Sequence, residues 1–259
     1  MYHPIPSQPD CVSAWREAVR LADRQPHHEA HNVVIDVLDP VGRSTMEDPV
    51  VREVDAFLLA KGTKAVETVA NTIFPAALYR RYGAPAFFNR FTDNVLPKVR
   101  RSGDRWSGYY FERMIALPRE GGGQPINQLT DIIARLRDPA VLARNKFELS
   151  VFDPARDVDK SPYGGQCLSF GSFKLRTEAG QDRLDLTVLY RNHFYVEKLL
   201  GNLIGLGRLM QFVATEAGLA TGALTVVSTH AQVDLPGKSP TSSTRKDITG
   251  LLARCDLLG

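Results

Sequence analysis

From Leu199 to Ala217 the chain is long and predominantly apolar, and Leu203, Leu206, Met210 and Val213 recur there at helical spacing. A helix of that character needs apolar cover, and a sheet is the broadest cover a chain can supply. Strand patterns stand on both sides of it: Phe147 to Phe152, Cys167 to Arg176 and Asp185 to Tyr190 before, Leu224 to Val233 after. Around the third of these, Leu184, Leu186, Val188 and Tyr190 alternate with Asp185, Thr187 and Leu189, the period of a strand with one buried face. The polar segment Thr177 to Arg183, with Glu178, Gly180 and Asp182, predicts the turn of a hairpin.

The first third predicts helix, strand and further helices. Trp15, Val19, Leu21 and Ala22 form one side of a short amphipathic helix that ends before Pro26, and Asn32 to Asp39 is a β-branched, mostly apolar run closed by Pro40. Helices are expected from Pro49 to Ala60, stopped by Gly62, and from Val66 to Tyr82, kinked at Pro75. Ile126, Leu129, Ile132, Ile133 and Leu136 mark one buried face of another helix. Gly121, Gly122 and Gly123 read as a linker, because no strand precedes them and no lysine follows at phosphate-loop spacing. The expected fold class is α+β: a single domain over residues 1–259, with a twisted mixed sheet backed by a long central helix and by flanking helices. Residues 1–30 form an N-terminal helical segment in this reading and 235–259 a short C-terminal tail.

The balance of 32 basic against 29 acidic residues is too even for a surface that coats nucleic acid, so no nucleic-acid partner is expected. No apolar run approaches membrane-spanning length, and Met1 to Asp10, with Pro4, Pro6 and Pro9, lacks the apolar core of a secretory signal. Cys11, Cys167 and Cys255 have neither disulfide-framework nor zinc spacing, so no metal is expected and a reducing cytoplasm suits the chain. Cys167 is the candidate nucleophile, because it follows Tyr163-Gly164-Gly165 and opens a strand, at the rim of a sheet. A strand cysteine is more often a small buried hydrophobe. Attack requires the thiolate, which a nearby guanidinium favours, and the next strand supplies Arg191.

At this point the order of residues resembles the C-terminal half of thymidylate synthases. In that family an Ile-x-Gln helix precedes a strand ending in Asn-Pro; here Ile126-Asn127-Gln128 leads to Asp153-Pro154. The family's Pro-Cys-His and later Gln-Phe are matched by Gln166-Cys167-Leu168 and Ser172-Phe173, and its Tyr-Gln-Arg-Ser by Leu189-Tyr190-Arg191-Asn192. Its Gly-x-Pro-Phe-Asn looks like Lys198-Leu199-Leu200-Gly201-Asn202, and its Asp-x-His-x-Tyr strand like Ser228-Thr229-His230-Ala231-Gln232.

The resemblance implies a thymidylate synthase-like fold and an enzyme that adds a one-carbon unit, methyl or hydroxymethyl, to C5 of a uracil-type nucleotide. Cys167 adds to C6 and so makes C5 nucleophilic. Arg191 holds the thiolate and contacts the substrate phosphate, as a guanidinium can serve two anions at once. Asn202 reads N3–H and O4 of the base, offering one acceptor and one donor. His230 binds sugar hydroxyls, with Gln232 in the place of a tyrosine that shares them, and Ser172 and Asn192 fall on further substrate-binding positions. Glu67 moves protons through water, and Tyr110, from the cluster Trp106, Tyr109, Tyr110 and Phe111, helps remove the C5 proton. The resemblance also implies 5,10-methylenetetrahydrofolate as donor and a homodimer in which Arg144 or Lys146 of one copy reaches the phosphate held by the other. Arg43, in Gly42-Arg43-Ser44-Thr45, is a partial counterpart of the family's N-terminal phosphate loop.

Departures bear on substrate and donor. Phe194 stands where the family has an aspartate against the folate ring, and the stretch after His230 is short and rich in Ser, Thr and Lys before a brief helix. Two alternatives stay open: a specialised UMP or CMP hydroxymethylase of nucleoside-derivative biosynthesis, and a nucleotide-binding protein of this fold without catalysis.

Overall fold

The computed structural model describes residues 2–100, 108–119, 121–158 and 166–259. Trp106 and Tyr163-Gly164-Gly165 lie outside them. The elements run β1 (His3–Pro4), β2 (Gln8–Asp10), α1 (Cys11–Asp23), β3 (Glu29–Asp39), α2 (Pro49–Ala60), α3 (Val66–Ile73), α4 (Ala76–Tyr82), α5 (Ala86–Arg90) and α6 (Leu96–Val99). Then come α7 (Tyr110–Ile115), α8 (Gln128–Arg137), β4 (Phe147–Ser150), α9 (Pro154–Asp157), β5 (Leu168–Glu178) and β6 (Gln181–Tyr190). The last are β7 (His193–Phe194), α10 (Leu200–Ala217), β8 (Ala220–Gln232) and α11 (Arg245–Leu257). Among the described residues no helix is long and apolar enough to cross a membrane.

The sheet is mixed and open, in the order β1-β3-β8-β6-β5-β4, with β2 also on β3 and β7 on β8. β8 pairs antiparallel with β3 and parallel with β6, while β6-β5 and β5-β4 are antiparallel. A parallel neighbour requires a crossover, and α10 supplies it. On α10 the four expected core residues, Leu203, Leu206, Met210 and Val213, are all fully buried. The α+β reading and the mixed sheet backed by a long helix hold at this level.

α10 lies close because three glycines leave room. A Cβ on Gly201 would come within 2.6 Å of the Val69 side chain, one on Gly205 within 2.7 Å of the Ala70 carbonyl, and one on Gly207 would overlap the Pro40 carbonyl. Because Pro40 directly follows β3, Gly207→Ala must push the helix and the end of that strand apart. Urea unfolding is expected to read a loss of about 2–3 kcal/mol, the range for overpacking a rigid contact. A loss below about 0.5 kcal/mol would mean the approach is looser than described.

Four expectations are corrected. The helix expected from Val66 to Tyr82 is two helices, separated at Phe74-Pro75, because proline removes a backbone donor there and the residue before it turns extended. The hairpin turn is not Thr177 to Arg183. The strands pair as far as Glu178 and Gln181, and only Ala179 and Gly180, both at positive φ, make the turn. Thr177 and Asp182 hydrogen-bond across the ladder, 2.5 Å, so their polarity marked an exposed hairpin and not a loop. Residues 1–30 are not wholly helical: β1 and β2 pair parallel with the edge of β3 before α1 starts, and an edge tolerates their prolines. Gly121 to Gly123 are a turn, not a linker, spanned by reciprocal Leu117 and Ile126 backbone bonds of 3.0 and 2.8 Å. The stretch from 235 carries α11, capped by Thr244 and Asp247 and packed on α2.

Candidate active site

The β5-β6 hairpin sets the site. Its ladder pairs Leu168 with Tyr190, so the residues just outside it, Cys167 and Arg191, meet at one end of the sheet. The Arg191 amide donates to the Cys167 carbonyl, 2.9 Å, and Arg191 Nε donates to the Gln166 carbonyl, 3.0 Å. Beyond Arg191 the chain passes through β7 and a π-turn, Tyr195–Leu199, into α10, whose third residue is Asn202. Asp234 accepts from the Val196 amide at 2.8 Å and from the Glu197 amide at 3.2 Å, fixing that turn, and burial pushes its carboxyl up to about 6. α3 and the start of α7 close the other side.

These elements enclose a cavity of about 290 Å³ whose lining includes Cys167, Tyr110, Asn192, Asn202, Tyr190 and Lys198. Burial pushes the Cys167 thiol above its ordinary range, while Arg191 and then Lys198 pull it back down. Burial and the nearby Cys167 push the Tyr110 hydroxyl well up, against the amides of Leu168 and Cys167. Tyr190 is fully buried, and its hydroxyl has no partner among the described residues. An enclosed thiol with two cations near it, a pair of phenols and a buried carboxamide can ionise, add to an electron-poor ring and read that ring's edge.

Of the residues singled out in the sequence, Cys167, Tyr110, Asn192 and Asn202 line this cavity, and Arg191 bonds the backbone of the Cys167 segment. His230 and Gln232 stand one layer out: His230 Nδ1 is 2.6 Å from Asn192 Oδ1 and its Nε2 3.3 Å from Glu29, while Gln232 donates to the same carboxylate at 3.1 Å. Of the aromatic cluster, Tyr110 turns to the cavity, Phe111 packs against Phe87, Phe88 and Phe91, and Tyr109 meets Phe91.

Five further candidates lie away from this cavity. Glu67 forms a two-armed ion pair with Arg208 of α10, 2.9 and 2.8 Å, while Val69 and Thr72 are what α3 presents to the cavity. Ser172 is on the sheet face opposite the buried Gly171 and Phe173 and accepts from Lys174. Arg43 bonds Asp48, 2.7 Å, and the Gly259 carbonyl. Arg144 bonds Thr177, 3.2 Å, beside the hairpin turn, and Lys146 is exposed at the start of β4. Gln166, Tyr190, His193, Lys64 and Lys198 also line the cavity and were given no role from the sequence, although Gln166, Tyr190 and Lys198 fall within the matched motifs.

No family model matches this chain. Over 108 residues it is 36% identical to a protein of Methanococcoides burtonii named "Putative thymidylate synthase", a match that covers 42% of this chain and 46% of that protein. A protein of the same name from Methanopyrus kandleri is 34% identical over 114 residues, 43% of this chain and 51% of its own, and one from Methanosarcina mazei is 29% identical over 108. The chain spans about half the length of the curated relatives it matches. Over that stretch it is a divergent likeness of proteins that carry the thymidylate synthase name.

Proposed function

We propose that this chain is a thymidylate synthase-like transferase that activates C5 of a uracil-type nucleotide through Cys167 for transfer of a one-carbon unit. The observation that carries the reading is the meeting of Cys167, Tyr110 and Asn202 at one cavity from three separate parts of the chain, with Arg191 bonded to the segment that carries Cys167. The Cys167 thiolate adds to C6, and the electrons of the C5–C6 double bond move to C5 and O4. C5 then bonds an electrophile, loses its original proton to base, and the C6–S bond breaks to restore the ring and the thiolate. Arg191 and Lys198 supply positive charge for the thiolate and the substrate phosphate; Tyr110 stands beside the sulfur to handle the proton. Asn192 and His230, in direct contact and with Glu29 behind the imidazole, offer polar atoms to sugar hydroxyls. In the same reading Arg144 and Lys146 serve the phosphate held by a second copy of the chain.

5,10-Methylenetetrahydrofolate is the donor that the likeness suggests. Among the described lining residues there is no carboxylate to bond a pterin ring, and Phe194 occupies the cavity wall at that place. The lining does not fit that donor as the family holds it, and no step here runs through it.

Hydrogen exchange at C5 needs the thiolate adduct but no donor, so it tests the reading directly. The wild-type chain is expected to exchange C5 tritium of one member of a panel of UMP, dUMP, CMP and dCMP. Binding without exchange on any of the four would overturn catalysis.

The electrostatics add a pH dependence. Because burial holds the thiol above its usual range, thiolate is the minor form at neutrality, and the exchange rate is expected to climb about tenfold per pH unit from pH 7 toward 9. Lys198→Met removes one cation and is expected to move the profile to higher pH, with a loss of about 3- to 10-fold at pH 7.5. A rate independent of pH over that window would show that the thiol is not the titrating group.

A further inference from the structure

Asn202 does not face the cavity alone. Its Nδ2 lies 2.9 Å from His193 Nε2, and His193 Nδ1 lies 3.1 Å from Ser228 Oγ. Asn202, His193 and Ser228 are 3%, 2% and 0% exposed. The imidazole is held in its plane: Tyr190 stacks on it at 4.0 Å and 11°, and Tyr195 meets it edge-on at 5.5 Å. Burial drives His193 down to about 3, so the ring is neutral. A neutral imidazole has one N–H and one lone pair. With the ring clamped, only the site of that proton is free to change.

The two sites have opposite consequences for the cavity. With the proton on Nδ1, bonded to Ser228, Nε2 accepts one N–H of Asn202. The amide then shows the cavity its oxygen and its second N–H, an acceptor beside a donor, the complement of uracil N3–H and O4. With the proton on Nε2, the amide must turn over to offer its oxygen to His193. The cavity then sees a donor beside an acceptor, the complement of N3 and N4–H of cytosine. The contact in the structure runs through Nδ2 of Asn202, the first of these arrangements.

We propose that His193, anchored by Ser228, is the positioning residue that orients the Asn202 amide and so selects uracil over cytosine. The inference rests on the pyrimidine-nucleotide reading of the cavity and adds to it a selector that never touches the base. Loss of His193 lets the amide adopt either orientation, so selectivity falls while the groups that hold sugar and phosphate are unchanged.

The test is calorimetric titration of the full chain with dUMP and with dCMP, for wild type, His193→Leu, His193→Gln and Ser228→Ala. The expected result is a wild-type preference for dUMP that falls about tenfold or more in His193→Leu, with dCMP affinity held or raised. His193→Gln, whose side-chain oxygen can still accept from Asn202, is expected to keep part of the preference. A His193→Leu chain with the wild-type affinity ratio, including one that loses both nucleotides in parallel, overturns the proposal. Should that variant not fold, the ratio in Ser228→Ala decides in the same way. A wild-type chain that exchanges C5 tritium while His193→Leu keeps its ratio sinks the selector alone. A wild-type chain that binds neither nucleotide sinks the underlying reading and the selector with it.

Discussion

Cys167→Ser is expected to lower C5 exchange about 10³-fold or more, on whichever nucleotide the wild-type chain accepts, while nucleotide affinity stays within about threefold. A serine hydroxyl does not ionise at neutral pH, so the charges of Arg191 and Lys198 have nothing to hold at that position. Binding is spared for a geometric reason. Arg191 reaches this segment through the carbonyls of Cys167 and Gln166, which the substitution leaves in place, and Asn202 is held by His193. Chemical modification gives a parallel check, because Cys11 and Cys255 are fully buried, and burial pushes the Cys255 thiol up to about 12. One equivalent of iodoacetamide on the folded chain is therefore expected to mark Cys167 and to stop exchange. Exchange in the serine variant within about tenfold of wild type would remove the thiolate from the mechanism.

What was legible in the sequence was what local chemistry decides. The boundaries of α2 were readable because Asp48 caps it, Pro49 occupies its first turn and Gly62 follows its end. The core face of α10 was readable from spacing, and the meeting of Cys167 with Arg191 followed from the hairpin between them. What was not legible depended on partners far along the chain. β1 and β2 are too short to show a period and exist only by pairing with β3. Glu67 kept the family's acid, but α10 brings Arg208 to it across the core. Ser172 rested on the motif match alone, and β5 turns it to the face opposite the buried Gly171 and Phe173. His193 reads as one polar residue among several until Tyr190, Tyr195 and Ser228 close around it.

The largest effect on stability is expected at Arg113→Met, about 3–5 kcal/mol by urea or thermal unfolding. Arg113 Nη2 and Nη1 meet Asp157 at 2.7 and 3.2 Å, and each side chain is 1% exposed. Asp157 also accepts from the Asp153 amide at 2.8 Å, and the Arg113 carbonyl accepts from Gln128, which bonds both backbone groups of Ser150. α7, α8, β4 and α9 are thus tied at one buried node, and α7 begins with Tyr110 of the cavity. Removing the guanidinium strands a carboxylate away from water, and that uncompensated charge is the main cost. The double variant Arg113→Met with Asp157→Leu removes both charges and is expected to be less destabilised than the single one, leaving about 1–2 kcal/mol for the orphaned Asp153 amide. If the double variant were as unstable as Arg113→Met, packing and not charge would be the source of the loss. The same pair of variants separates the node's two roles: recovered stability with exchange still depressed would mean that the ion pair also holds Tyr110 against Cys167.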